Sequence, residues 1–245
     1  MRTPIVGLHQ GRCTASDATA HYLTRVLRLG VGSSFVAFDP ESAREADASI
    51  ASVGDRVELD VSTLRPARVT ARRALTFVQG LAKGDKCDAV VRDATELGAT
   101  HVIVANCARS VVQLHGARRQ ARLERWTRIA QEAARQCGRA DPPRVELLPW
   151  ADALSSVDSA AKRFCLHVQS SVGIPLGPAL RQALEDADAP IAFAAGPEGG
   201  LTEEEAAFAT HEGWTIAGLG NLVLRTETAA AAVLGAVRVF EPTRE

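Results

Sequence analysis

Paired cysteines, long apolar runs and net charge are all scarce in this chain. Its five cysteines (Cys13, Cys87, Cys107, Cys137 and Cys165) are scattered and never form a C-x-x-C pair. That argues against a disulfide framework or a structural zinc site and fits a reducing compartment. No apolar stretch reaches the roughly 18 residues that a membrane span needs, because Arg, Asp or Gly interrupts each candidate. The opening Met1-Arg2-Thr3-Pro4 starts no secretory apolar region. A cytoplasmic protein, without membrane or metal, is the expectation. The histidines make no HExxH and no triad with a G-x-S-x-G serine, and neither a Walker lysine nor GxGxxG is present. The common metalloprotease, hydrolase and nucleotide motifs are thereby removed.

What is present is apolar enough to fold. Hydrophobic residues make up 46% of 245 residues, which supports a sizeable core, as one large domain or a small one with a larger one. The net charge of −1 hides an asymmetry. From Arg109 to Arg144 arginine dominates, opposed only by Glu124, Glu132 and Asp141; from Trp150 to Glu212 acids dominate over Lys162, Arg163 and Arg181. A neutral chain with one basic segment implies a local polyanion contact.

Residues 1 to about 70 read as a β-rich unit. Phe35–Phe38, Ala48–Ile50 and the period-two run Val57–Val61 alternate with turn signals at Asp39-Pro40 and Gly54-Asp55. A helix is expected over Ala18–Leu29, opened by Ser16 or Asp17 and closed by Gly30. Leu64–Arg68 reads as a linker. From about residue 74 to 245 the rhythm becomes strand and helix in alternation: strand Leu75–Leu81, helix Asp85–Leu97, strand His101–Ala105, and a long helix from about Arg118 to Cys137. The continuous apolar runs Phe164–Val168 and Ile191–Ala195 have the pattern of parallel strands covered on both faces. An α/β domain with a largely parallel sheet follows.

Two constellations carry chemistry. On the long helix, Arg118, Arg122, Arg125, Arg135 and Arg139 fall on one side with only Glu132 among them. The bland reading is a solvated face; the sharper one is a stripe for phosphates. Arg25 and Arg28 add a weaker signal. Near the C-terminus, Gly196-Pro197-Glu198-Gly199-Gly200 and Leu219-Gly220-Asn221-Leu222-Val223-Leu224-Arg225-Thr226-Glu227-Thr228 each follow an apolar run and open a helix. Glycines admit a ligand close to the backbone, and helix N-termini offer free N–H groups. Thr202 with Glu205 is a capping box and accounts for itself. Glu227 suits the macrodipole of a first turn, whereas Arg225 at a helix start needs an anionic partner. His167, at a strand end, reads as a core or edge histidine or as a pocket neighbour.

Together GPEGGLTEEE and LGNLVLRTETAAA resemble the signature of SPOUT-class methyltransferases. The fuller likeness is to the ribosomal RNA small-subunit methyltransferase E family, nearly end to end. HYLTRVLRLGVGSSFVAFD at 21–39 is similar to that family's PUA-like start, KGDKCDAVVRDATELGATHVI at 83–103 to its domain entry, and ARQCGR at 134–139 to the close of its long helix. Asp93, Val104 and Arg135 stand where the family usually has Lys, Pro and Glu.

The resemblance implies an α/β fold: a C-terminal trefoil-knotted SPOUT methyltransferase domain over 74–245 and an N-terminal PUA-like β-barrel over 1–70. It implies S-adenosylmethionine as cofactor, held by Leu166, His167, Gly196, Pro197, Glu198, Gly199, Gly200, Leu219, Gly220, Leu222, Val223, Leu224, Arg225, Thr226 and Thr228. The implied partners are 16S rRNA of the small ribosomal subunit, through Arg25, Arg28, Arg109, Arg122, Arg125, Gln136 and Arg139, and a second copy in a homodimer. The implied reaction is methylation of a uridine at N3. Arg225 would hold a uracil oxygen, and Glu198 or Glu227 would take the proton. Rival readings are a SPOUT enzyme acting on tRNA or a ribose hydroxyl, and a non-catalytic RNA-binding assembly factor.

Overall fold

A computed structural model describes residues 1–167 and 173–241. The chain divides into two compact units, Met1–Thr70 with Ala134–Pro142, and Ala71–Ala133 with Pro143–Glu245.

The first unit comprises β1 (Arg2–Pro4), β2 (Gly11–Thr14), α1 (Asp17–His21), a π-helical turn (Tyr22–Val26), β3 (Ser34–Asp39), β4 (Arg44–Val53), β5 (Val57–Val61) and β6 (Arg65–Pro66). The sheet order is β1-β3-β4-β5-β2 with β6 on β4; β1 pairs β3 in parallel, the other pairs being antiparallel. Alternation decides which face is buried: Val57, Leu59 and Val61 point inward from β5 and join Leu23, Ala37, Ala46 and Ile50 in one core. The expected helix starts on its Ser16 cap, whose hydroxyl accepts from Thr19 N, but it changes to the π form at Tyr22 and ends at Val26. The expected linker Leu64–Arg68 is instead partly an edge strand. Arg65 reaches the buried Glu45 at 3.1 Å and Asp47 at 2.8 Å, while Arg2 meets Glu45 at 2.6 Å. A buried carboxylate needs such partners.

Residues 134–142, placed with the second domain on sequence, belong to this unit. Ala140 N donates to Val69 O at 2.8 Å and Arg2 Nε to Gly138 O at 2.8 Å. Arg135 stacks over the Tyr22 ring, 4.9 Å from its centroid, a cation–π contact.

The second unit contains β7 (Leu75–Gly80), α2 (Lys86–Glu96), β8 (His101–Asn106), most of α3 (Gly116–Cys137), β9 (Arg144–Pro149), α4 (Trp150–Ser155), β10 (Lys162–Leu166), β11 (Ile174–Pro175), α5 (Leu176–Leu184), β12 (Ile191–Ala195), α6 (Glu203–His211), β13 (Thr215–Gly218) and α7 (Thr226–Phe240). Its seven strands are parallel in the order β11-β13-β10-β12-β7-β8-β9. Phe77, Val102 and Phe193 face one layer with Trp126, Val91 and Leu234; their neighbours Val78, Ile103 and Ala192 face the other with Trp150 and Trp214. Both faces are thus covered, which is why these strands read as unbroken apolar runs. Strand β10 ends at Leu166; Val168, expected as its last residue, lies outside the described residues.

Candidate active site

The site sits where three parallel strands end side by side. Leu166 of β10 pairs with Ala195 of β12 on one side and Ala217 of β13 on the other. In open α/β sheets ligands bind beyond the carboxyl ends of such strands. A cavity of about 500 Å³ opens there, lined by His167, the 196–201 loop and the 218–226 segment. That is a small-molecule size.

The first loop is fixed by crowding. A Cβ on Gly196 would lie 3.0 Å from Gly200 C and from Leu201 Cγ, and one on Gly199 would lie 3.0 Å from Arg109 Cβ. Gly200 adopts φ +72° and donates its N–H to Pro197 O at 2.9 Å. Below the loop the expected capping box is complete, with Glu205 N donating to Thr202 Oγ1 at 3.2 Å and Thr202 N to Glu205 Oε2 at 2.9 Å. Arg109 closes the loop from outside, donating from Nη1 to Gly199 O at 3.2 Å and Leu201 O at 3.1 Å.

Glu198 turns the other way. Its Oε1 meets Lys86 Nζ at 2.9 Å and accepts from Lys83 N at 3.1 Å. Burial raises the Glu198 carboxyl, but the hydrogen bonds from Lys86 and from backbone N–H groups outweigh it, so its pKa lies below the usual value. His167 is shifted down as well, by burial first and then by the nearby Arg109, which favours the neutral imidazole.

The second loop leads into α7. Gly220 has φ +98° with open space on its Cβ side. Leu222 and Val223 are 76% and 80% exposed at the cavity mouth. Arg225 is the N-cap of α7 with an extended backbone (φ −63°, ψ 150°) and makes no side-chain cap. Its guanidinium has no partner among the described residues. Thr226 turns inward instead, its hydroxyl donating to Gly196 O at 2.9 Å, so the two loops touch beneath the cavity.

The cavity gathers Leu166, His167, Gly196, Pro197, Glu198, Gly199, Gly200, Leu219, Gly220, Leu222, Val223, Leu224, Arg225 and Thr226. Two expected residues stand outside its lining. Thr228 is exposed in the first turn of α7, and Glu227 leaves a buried Oε2 without a hydrogen-bond partner. Lys86 and Arg109 join the lining from distant segments. No local sequence pattern ties Lys86 to Glu198, so it went unforeseen.

The expected RNA residues separate into groups. Arg25, Arg28 and Gln136 are exposed. Arg122 and Arg125 converge on Asp88, a buried acid of α2, with Arg125 Nη2 at 2.6 Å and Arg122 Nη1 at 3.6 Å; Trp126 Nε1 donates to the same carboxylate at 2.9 Å. The stripe, with only Glu132 among its arginines, therefore finds its acid on another helix. Arg139 is a correction: it is 4% exposed and ion-paired with Asp141 at 3.0 Å, which leaves it no surface for a phosphate.

The cavity fits S-adenosylmethionine on its own features. Gly196 and Gly199 bring backbone where no side chain fits, Gly218 and Gly220 leave open space on the Cβ side, and Leu166, Leu219, Leu224 and Ala229 supply apolar wall for a purine.

Known proteins agree on the class and then on the family. Residues 70–238 match the RNA methyltransferase domain and residues 16–62 the RNA methyltransferase PUA domain. The ribosomal RNA small subunit methyltransferase E of Bacillus subtilis is 32% identical over 221 residues, 89% of this chain and 86% of that protein. The protein of the same name in Synechocystis is 30% identical over 238 residues, 93% of this chain and 73% of its own. The crystal structure of a ribosomal RNA small subunit methyltransferase E from Neisseria gonorrhoeae, bound to S-adenosyl methionine, matches with a TM-score of 0.84 at 25% identity, covering 98% of this chain and 97% of that one. The fold is thus an α/β RNA methyltransferase with a PUA-like domain. The chain belongs to the ribosomal RNA small subunit methyltransferase E family.

Proposed function

We propose that the protein methylates 16S rRNA of the small ribosomal subunit at N3 of a uridine, with S-adenosylmethionine as methyl donor. The observation that carries the reading is the glycine-cradled cavity at the ends of β10, β12 and β13, with Arg225 at its edge. When bound, the cofactor supplies an electrophilic methyl group on a sulfonium.

The chain's residues do the rest. The 196–200 and 218–224 backbone holds the donor, and Leu166, Leu219 and Leu224 exclude water from it. Uracil N3–H is a weak acid, so the charge left as its proton departs must be stabilised. Arg225 donates to a uracil carbonyl oxygen and, at the N-cap of α7, adds its charge to the positive end of the helix dipole. Glu198, held ionised by Lys86, lines the cavity and accepts the proton at Oε1 or Oε2. Its lowered pKa makes it a weak base, so the larger share of the barrier falls to Arg225 and to alignment. Glu227 is the alternative acceptor; its unpartnered Oε2 supports that assignment and its place outside the cavity lining opposes it.

Three structural readings belong with this function. The segment around β10 is a trefoil knot, supported by β13 pairing beyond β10 before α7 returns to pack with α2, β7 and β12. The N-terminal sheet closes as a PUA-like barrel over residues 1–70, supported by its single core. The protein is a homodimer, supported by Leu222, Val223, Val239 and Phe240, which the described chain leaves exposed. No helix among the described residues is long and apolar enough to cross a membrane; the cytoplasm is the proposed place of work because the proposed substrate is the small ribosomal subunit. Among the described residues no cluster is suited to a metal.

The test offers labelled cofactor with undermodified 30S subunits, naked 16S rRNA and tRNA, then maps the modified base. Label on N3 of one 16S uridine is the expected result. Label on tRNA or on a ribose would refute the assignment, as would no label at all.

A further inference from the structure

We propose that Gln79 is a positioning residue for methyl transfer: from beneath the cavity, its amide sets the first glycine loop against the start of α7. The inference rests on the functional reading above. Gln79 is wholly buried near the end of β7 and does not line the cavity. Its Nε2 donates to Thr226 Oγ1 at 2.6 Å and to Gly80 O at 2.8 Å, with Gly196 O at 3.4 Å. Thr226 Oγ1 in turn donates to Gly196 O at 2.9 Å.

The pattern fixes the direction of each bond. Because the Thr226 hydroxyl proton is committed to Gly196 O, that oxygen is free to accept, and every atom around Nε2 is an acceptor. Turning the amide over would set Oε1 against carbonyl oxygens. The result is a tripod: one side chain grips residue 226, whose neighbour Arg225 faces the substrate, and shares with it the carbonyl of Gly196, where the cofactor loop begins. These two anchor points lie 30 residues apart in the chain.

The arrangement is not the one stability alone would select. Gln79 Oε1 is buried with no hydrogen-bond partner, and such an orphan destabilises a folded protein. Methionine or leucine would fill the same volume in this mostly apolar strand without it. What the amide provides that they do not is direction, holding Gly196 and Thr226 in one relation. Displacements of about 1 Å at a reacting centre cost on the order of 100-fold in rate.

The experiment compares Gln79→Met, Thr226→Val and Thr226→Ser with the wild type in methyl transfer to 30S subunits, thermal melting, and hydrogen exchange of the 196–200 amides without cofactor. Gln79→Met should melt at or above the wild-type temperature, yet lose about 10- to 100-fold in kcat while the KM for RNA stays within about threefold. Exchange at 196–200 should quicken. Thr226→Val should reproduce this, the double variant should be no worse than either single one, and Thr226→Ser should restore activity through its hydroxyl. Wild-type kcat and exchange in Gln79→Met would overturn the proposal. So would a loss that follows the melting temperature, or appears only in KM. If the wild type itself transfers no methyl group, the functional reading fails; the exchange measurement still reports whether Gln79 sets the loop.

Discussion

Gly80→Ala tests the packing on which the whole cavity depends. Gly80 ends β7 with its Cα against the start of the first loop. A Cβ there would lie 2.4 Å from Pro197 N, 2.5 Å from Pro197 Cδ and 2.7 Å from Gly196 C. None of these is the tip of a flexible side chain, so the loop itself must move. Carbon contacts settle near 3.5 Å or beyond, so the displacement is roughly 1 Å. Overpacking of this kind costs about 1–3 kcal/mol, which for a chain of this size lowers Tm by roughly 3–10 °C. The functional loss should be larger than the stability loss, because Gly196 and Pro197 wall the cavity. Calorimetry with S-adenosylmethionine should show affinity down by at least about tenfold, and methyl transfer down by about 100-fold. Gly177→Ala is the control, since its Cβ would meet nothing within 4 Å. Wild-type cofactor affinity and turnover in Gly80→Ala, with Tm unmoved, would refute the reasoning.

Other perturbations separate the remaining groups. Arg225→Ala should abolish transfer while cofactor affinity stays within a few fold, as read by calorimetry beside turnover; wild-type turnover would remove Arg225 from the reaction. Replacing Arg25 and Arg28 by Gln should flatten the salt dependence of RNA binding, by roughly 0.7 per lost phosphate contact on single strands, and by more than the same change at Arg122 and Arg125, which Asp88 already engages. Asp88→Ala should cost about 1–3 kcal/mol in denaturant unfolding, since it strands the buried Trp126 N–H. His167 has a folded pKa below its usual value, so as pH falls past that value the unfolded chain takes up the proton first. Stability is therefore lost between the usual and the lowered pKa, and Arg109→Met should narrow that window, with the imidazole resonances titrating at higher pH.

The two C-terminal loops were legible because each is local: strand, glycines, cap and helix follow one another within a few residues. Ile191–Ala195 and Val57–Val61 emerge with the same bounds in sequence and structure, since burial on both faces and strict alternation each leave a distinct pattern. What stayed hidden depends on distant partners. Asp88 lies 37 residues before Arg125, so on its own side of the helix the arginine stripe shows only Glu132 as a counter-charge. Gln79 is a lone amide in an apolar strand, and its partners lie 117 and 147 residues away. A Gln-Gly pair closing such a strand is the available signal, because glycine weakens a strand interior and a buried amide calls for a hydrogen-bond partner. Arg135 shows the same limit in reverse: a charge that departs from the family's usual Glu is accommodated by the Tyr22 ring.

These distant contacts also decide which charge the site leaves for chemistry. Of the cations on the cavity, Lys86 is bound to Glu198, and Arg109 directs Nη1 at two carbonyl oxygens. His167 is biased toward its neutral form. Arg225 alone among the described cavity residues keeps an uncommitted positive charge, and it does so at the N-terminus of α7, where the macrodipole adds to it. A cation there is unfavourable for the free protein and becomes favourable only when an anion arrives. On the proposed function the site would interact more strongly with a uracil losing its N3 proton than with the neutral base, the differential that accelerates a reaction. The same logic gives Arg225→Lys a distinct expectation. Charge is retained, but the planar fork that pairs with a carbonyl edge is lost, so kcat should fall while the salt dependence of RNA binding stays unchanged. An equal fall in both would mean that Arg225 binds RNA phosphate rather than the reacting base.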